Sequence, residues 1–289
     1  CRGPVTLTAE LWDSRVRSDD PGTPVTTGEV NTFELVQANA TWRTQIGQAR
    51  VTLQGGRFTL NIGSRRLVAA DDYRNTTNGY TGLRADLVAP GAVSATAIYV
   101  LPQQRRPDDN PALRRGKVEW DHEGFDQVLW GGTLAKARAF GPVSVEASFF
   151  HLGERDTPGR PTRDRSLDTW GGRVMREPAV GKVDFEVEAF RQSGSISTSA
   201  AANAARLPVS ASFIHADLGY TLRDVWKTRL SLDLDRASGD APGGRFGRFD
   251  TLFGMRRADL APAGLYNAVG RANLVSLGPR IETAPSKRL

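Results

Sequence analysis

Residues 182–190 read Lys-Val-Asp-Phe-Glu-Val-Glu-Ala-Phe. In an extended chain Val183, Phe185, Val187 and Ala189 fall on one side, and Lys182, Asp184, Glu186 and Glu188 on the other. This period of two predicts a strand with one apolar and one wet face. Three acidic side chains on the wet face require water there. A soluble sheet meets that requirement, and so does a membrane barrel with an aqueous lumen.

The alternation recurs along the chain. Val5, Leu7, Ala9 and Leu11 interleave with Thr6, Thr8, Glu10 and Trp12. Val36, Ala38, Ala40 and Trp42 interleave with Gln37, Asn39, Thr41 and Arg43. Val51 and Leu53, then Phe58, Leu60 and Ile62, read as strand positions between Arg50, Thr52, Gln54, Thr59 and Asn61. Similar patterns mark Leu83 to Leu87, Val143 to Phe149 and Leu230 to Leu234. Gln54-Gly55-Gly56, Pro90-Gly91 and Phe140-Gly141-Pro142 predict short turns, while polar loops are expected over 102–116, 153–166, 193–206 and 238–247. Helical periodicity is weak throughout. Short turns alternating with long loops are the pattern of an antiparallel transmembrane β-barrel of meander topology, in a single domain spanning 1–289.

Trp12, Trp42, Tyr99, Trp130, Phe149, Trp170, Phe190, Tyr220 and Trp226 fall near strand ends, where a barrel places its interfacial girdles. A soluble sandwich would place them in its core or at its edges. Its wet face is also normally rich in Thr, Ser and Lys. Here the wet positions include Glu10, Arg84, Asp86, Glu146, Asp184, Glu186, Glu188, Asp233 and Asp235, as expected of a charged lumen. The apolar positions are small or medium-sized, which suits a lipid-facing surface with no core to fill.

The composition supports this picture. The 289 residues are 39% hydrophobic and 24% charged, too polar for a helical membrane protein. No run approaches the ~18 apolar residues of a spanning helix, whereas barrel strands need only ~10 alternating residues. The net charge is +6, and only Lys117, Lys136, Lys182, Lys227 and Lys287 are lysines. The basic excess is therefore arginine, which binds carboxylates and phosphates bidentately. A GC-rich genome would also enrich arginine. Cys1 is the only cysteine, so no internal disulfide can form. It reads as a domain boundary rather than a lipidated terminus.

Several stretches resemble the alginate-export family of bacterial outer-membrane barrels. They are Ala9-Glu10-Leu11-Trp12-Asp13-Ser14-Arg15, Gly63-Ser64-Arg65-Arg66-Leu67-Val68 with Tyr73-Arg74-Asn75, and His215-Ala216-Asp217-Leu218-Gly219-Tyr220. The run 232–240 ending Ala-Ser-Gly-Asp continues the resemblance, followed by Phe249-Asp250-Thr251-Leu252-Phe253, Gly264-Leu265-Tyr266 and Arg271-Ala272-Asn273-Leu274. The resemblance implies a monomeric barrel of about eighteen strands in a Gram-negative outer membrane. It also implies passive export of an anionic polysaccharide through an arginine-rich pore. At ~20 residues per strand plus loop, this chain would supply about fourteen strands. It ends Pro285-Ser286-Lys287-Arg288-Leu289 without a terminal aromatic strand, so a partial barrel lacking strands at both ends is expected.

Cationic groups around a low-dielectric lumen concentrate polyanions. By strand parity Arg43, Arg50, Arg84 and Arg229 are pore candidates, and the family-like segments add Arg66, Arg74 and Arg271. Glu10, Asp184, Glu186, Glu188 and Asp233 are expected counter-charges that hold arginines in place and keep the polymer from binding too tightly. For any single arginine the stronger expectation is a structural lumen ion pair with no role in selectivity. Partners implied are an anionic polysaccharide or uronate-like solute, outer-membrane lipid and periplasmic export components. The alternatives are a substrate-selective porin taking up small anionic or sugar-acid solutes, and a soluble β-sheet carbohydrate-binding protein. His122, His151 and His215 are too scattered for a metal set. His215 and Asp217 with nearby Ser212 would be the material for a hydrolase, but no nucleophile motif accompanies them. Asp233, Asp235 and Asp240 lack EF-hand spacing, and no Walker or dinucleotide loop occurs. No cofactor and no enzyme activity are expected. The basic residues alternate with acids, unlike a nucleic-acid surface.

Overall fold

A computed structural model describes residues 3–17, 20, 22–70, 74–157, 160–240, 244–255, 260 and 269–285. Cys1, Tyr73, Gly264, Leu265, Tyr266 and residues 286–289 lie outside this set. The described chain is an antiparallel meander of twelve strands in one sheet, each paired with its sequence neighbours. The strands are β1 (Val5–Ser14), β2 (Asn31–Ile46), β3 (Ala49–Phe58), β4 (Tyr80–Ala89), β5 (Val93–Pro102) and β6 (Gln127–Phe140). They continue as β7 (Val143–Glu154), β8 (Ser166–Arg176), β9 (Val183–Ser197), β10 (Arg206–Thr221), β11 (Arg229–Ala237) and β12 (Leu274–Glu282). A single short helix, α1 (Asn110–Arg114), lies in the β5–β6 connector, capped by the Asp109 carboxylate on the Ala112 N–H. Among the described residues β1 and β12 are unpaired with each other, so the sheet is open, as in a partial barrel.

Connections alternate in length. One rim carries the tight links 47–48, 90–92 and 141–142 and the longer 177–182 and 222–228; the other carries 15–30, 59–79, 103–126, 155–165, 198–205 and 238–273. The two-residue link at 141–142 turns through Gly141 at φ +60°, and Pro90-Gly91 forms a single 3₁₀ turn. Twelve described strands, against about fourteen expected, follow from connectors far longer than the ~20-residue repeat allows for. The loop expected over 193–206 is shorter, because β9 runs to Ser197.

The two faces separate as the alternation predicts. One presents Leu7, Leu83, Val187, Leu218 and Leu232 outward, with Leu7 79% and Leu83 66% exposed. Such a surface is stable against lipid, not water. Seven of the nine aromatics expected in girdles are exposed: Trp12, Trp42, Tyr99, Trp130, Trp170, Tyr220 and Trp226. Phe149 joins them, its ring 5.3 Å from Trp130 and 4.3 Å from Trp170.

Phe190 does not. It points to the inner face, 4% exposed, and stacks 6.2 Å from both Phe213 and Phe249. Gly171 opposite it makes room, since a Cβ there would meet the Phe190 ring at 2.4 Å. Phe190 belongs to an inner core with Phe58, Tyr80, Val100, Leu129, Leu152, Leu167, Val209 and Phe213. The expectation that no core needed filling is thus corrected. Leu60 and Ile62 also sit in this core, in the β3–β4 connector rather than in a strand. Gln54-Gly55-Gly56 is no turn but the middle of β3. Gly56 pairs with Gly82 and holds φ +117°, where a Cβ would stand 2.4 Å from the Ala38 carbonyl.

Candidate pore and vestibule

The inner wall of β7 to β11 divides by height. Near the short-turn rim one row reads Glu146, Arg173, Glu188, His215 and Asp235, side by side on five strands. Two residues towards the other rim the row becomes Ser148, Gly171, Phe190, Phe213 and Ala237. Charge below and hydrocarbon above are therefore fixed by register alone.

The acids of β9 face this wall and are taken up by arginines. Asp184, 1% exposed, accepts from Arg229 Nε at 2.9 Å, and the same guanidinium bonds Asp217 and reaches Glu282 at 3.3 Å. Glu186 accepts from Arg173 Nη2 at 2.6 Å and from Arg66 Nη1 at 2.6 Å. Glu188 accepts from Arg66 at 2.5 Å and from Ser64 Oγ at 3.0 Å. Asp233 meets Arg280 at 3.2 Å, and His215 Nδ1 lies 2.9 Å from Asp235. Ser212 lies on the opposite face of β10 from His215 and Asp217, so these three do not converge.

Arg66 comes from the β3–β4 connector, which folds over the inner wall. It is met there by residues 246–255 of the β11–β12 connector. Ala69 N–H donates to Phe253 O at 3.0 Å, Phe253 N–H to Leu67 O at 3.0 Å, and Met255 N–H to Arg65 O at 2.8 Å. The Tyr80 ring packs edge-on to Phe253 at 5.9 Å. Asp250 fixes the second segment through reciprocal bonds with the Gln192 amide, at 3.0 and 3.1 Å. The paired segments form a plug packed against the upper inner wall.

The other predicted residues are dispersed. Arg43 and Arg50 are exposed on the inner face of β2 and β3; Arg43 bonds Thr6 Oγ1 at 2.9 Å, and neither has a carboxylate partner among the described residues. Arg84 pairs with Asp86 on its own strand at 2.8 Å. Glu10 is held by Gln37 and Trp12, not by an arginine. Arg74 lies in the β3–β4 connector near Gly28. Arg271 is buried, donating to Met255 O at 2.8 Å over the Phe213 ring. Arg66, Arg229, Asp184, Glu186 and Glu188 are thus brought together, while Arg43, Arg50, Arg74 and Arg84 stand apart.

Above the plug lies a cavity of about 700 Å³ whose lining includes Arg105, Arg160, Arg163, Arg165 and Arg248. Asp108, Glu154 and Asp250 also line it, with the amide side chains of Asn78, Gln103, Gln104 and Gln127 and the rings of Phe246, Phe249 and Phe253. Arg160 pairs with Asp126 at 2.8 Å and Arg248 with Asp240 at 3.5 Å. Burial works against the Arg165 charge, but Glu154 at 2.5 Å and Asp250 at 2.7 Å outweigh it and raise its pKa above the ordinary value. Arg163 packs 5.0 Å over Phe246 and donates to Ser197 O. The buried Gln104 Oε1 has no hydrogen-bond partner among the described residues. Sequence parity missed these arginines because they sit in connectors, although Arg155, Arg160, Arg163 and Arg165 form a dense local cluster.

A wide all-β wall, an apolar outer belt and a cation-lined mouth are the parts of a transport barrel, and the sequence model for alginate export matches residues 2–289. The chain belongs to the alginate export family. It is a family of outer-membrane transport proteins acting on a polysaccharide. No curated protein matches the chain. Among the described residues no helix is long and apolar enough to cross a membrane, a criterion that does not bear on barrels.

Proposed function

We propose that this chain forms part of a single outer-membrane β-barrel, acting as a passive channel that exports an anionic, alginate-like polysaccharide. The observation that carries this reading is the division of labour among arginines. The acids of β9 are taken up by Arg66, Arg173 and Arg229, so that strand need not repel a polyanion. Arg43 and Arg50 have no carboxylate partner among the described residues, and the mouth gathers five further arginines against three lining carboxylates, Asp108, Glu154 and Asp250, with amides and aromatic rings between them. Guanidinium forks suit uronate carboxylates, amides suit sugar hydroxyls and phenyl rings suit sugar faces. The reading includes a monomeric barrel working with periplasmic export components.

Planar-bilayer recording on the full-length protein tests it. Uronate oligomers should block the current. Arg163→Gln with Arg248→Gln should raise the half-blocking concentration about tenfold, the scale of one lost charge-assisted bond. Cation selectivity unaltered by those substitutions, or by Arg43→Gln with Arg50→Gln, would sink the anion-channel reading. Block by monomeric uronate as strong as by oligomers would favour small-solute uptake over export.

A further inference from the structure

The outer face of β7 to β11 changes character at one height. On β7 to β10 two adjacent rows read Val145, Val174, Val187, Ala216 and then Ala147, Gly172, Ala189, Ile214, all without charge; on β11 the first row ends in Leu234 and the second in Arg236. The next row reads Phe149, Trp170, Arg191, Ser212, and the one above it His151, Asp168, Ser193, Ser210. Hydrocarbon gives way to aromatic rings and then to hydroxyls within two steps of the ladder, which marks a membrane–water boundary.

Two arginines stand at this boundary. Arg191 on β9 is exposed and donates Nη2 to Ser210 Oγ at 2.8 Å. Arg236 on β11 is exposed and pairs in register with Ile214. Neither has a carboxylate partner among the described residues. The carboxylate on the neighbouring strand, Asp168, is held by His151 at 2.7 Å. Arg191, level with Ser212, and Arg236, level with Ile214, flank β10 two strand spacings and two residues apart, about 12 Å, within joint reach of one anion lying between Ser212 and Ile214. Arginine side chains at a barrel's lipid edge extend towards the headgroups, and a planar guanidinium pair matches phosphate oxygens.

We propose that Arg191 and Arg236, with Ser210 and Ser212 between them, form a binding site for the phosphate of an anionic membrane lipid. The lipid's chains run down over Ala189, Ile214, Val187 and Ala216, and its headgroup lies beside Trp170. Charge complementarity selects this occupant: two cations without carboxylate partners among the described residues, Arg191 above the uncharged strip of β7 to β10 and Arg236 beside its upper edge. The site rests on the membrane-barrel reading but not on the identity of the transported polymer.

The test uses the full-length protein in vesicles of phosphatidylcholine carrying chain-brominated phosphatidic acid. Bromine quenching of Trp170 is read as the difference between wild type and Trp170→Phe. Phosphatidic acid should displace phosphatidylcholine preferentially, and Arg191→Gln or Arg236→Gln should each lower that preference about fivefold. Arg138→Gln, at the short-turn end of β6, should leave it unchanged. An equal loss in Arg138→Gln would reduce the effect to overall charge and overturn the site. Displacement by excess inorganic phosphate would show a soluble-phosphate site and overturn the lipid assignment. Conductance and heat-modifiable mobility should be unaltered in both site variants, which shows that the barrel is intact. Wild-type protein without conductance would instead strike the channel reading alone.

Discussion

Two connectors fold inward and are anchored to opposite walls by opposite means. The β3–β4 connector reaches β9 and brings a cation: Arg66 meets Glu186 and Glu188. The β5–β6 connector reaches β2 and brings a second acid. Asp121 accepts from Asn31 Nδ2 at 3.0 Å and from the Arg106 N–H at 3.0 Å, while its own N–H donates to Glu34 at 3.0 Å. Glu34 is itself paired with Arg57, which also meets Glu123 at 3.3 Å. Burial, and then the Glu34 charge, push the Asp121 carboxyl up to about 7, against the lowering effect of its hydrogen bonds. One anchor is made by an arginine fork; the other depends on a proton.

Removing the fork should have the largest effect. Arg66→Ala leaves two carboxylates on a buried wall and should destabilise the protein by about 3–5 kcal/mol. Denaturant titration in detergent measures this, and Glu188→Gln in the same chain should restore part of it. A loss no greater than that of Arg43→Ala would erase the distinction between the walls.

The proton-dependent anchor comes next. The native Asp121 pKa of about 7 lies above its ordinary 3.8, so between those pH values the native state holds a proton that the unfolded chain has released. The anchor is therefore strongest below about pH 4 and weakens as pH rises to about 7, by about 4 kcal/mol for a shift of this size. Hydrogen-exchange protection in 103–126, corrected for intrinsic rate, should fall over this range. Asp121→Asn should flatten the dependence, and an unchanged slope in that variant would assign it elsewhere.

Smaller effects sharpen the contrast. Leu67→Ala empties part of the plug core and should cost about 2–4 kcal/mol while sparing the β5–β6 anchor. Proteolysis of 59–70 should accelerate without cleavage in 103–126. Arg43→Gln, on an exposed inner position, should change stability by less than about 0.5 kcal/mol. A larger loss would show that Arg43 is a structural ion-pair residue.

The fold was legible wherever alternation was long and unbroken. Residues 182–190 gave both the strand and the faces of Val187 and Glu188, because a period of two leaves no other assignment once one face must be wet. The alternation failed at Phe190, which obeys parity but meets an inward connector instead of water. Leu60 and Ile62 deceived for the same reason: apolar residues in a plug alternate against a core as strand residues do. Glycine pairs mislead because turn and close strand approach demand the same residue, as Gly56 shows. The candidate site was legible in part. Parity found Arg229 beside Asp184 and the family-like segment supplied Arg66, but the connector arginines of the mouth carry no period to read.

The plug also constrains the order in which the protein can be built. Its backbone pairing joins segments far apart in the chain; Asn78 reaches the Phe253 carbonyl across 175 residues. Contacts of such separation form late, after nearer strand pairs have closed their loops. A nascent barrel therefore holds most of its wall before the β11–β12 connector arrives to meet Leu67 and Ala69. Until then Phe58, Tyr80 and Phe213 face an unfilled lumen, and assembly of this wall is the stage most exposed to aggregation.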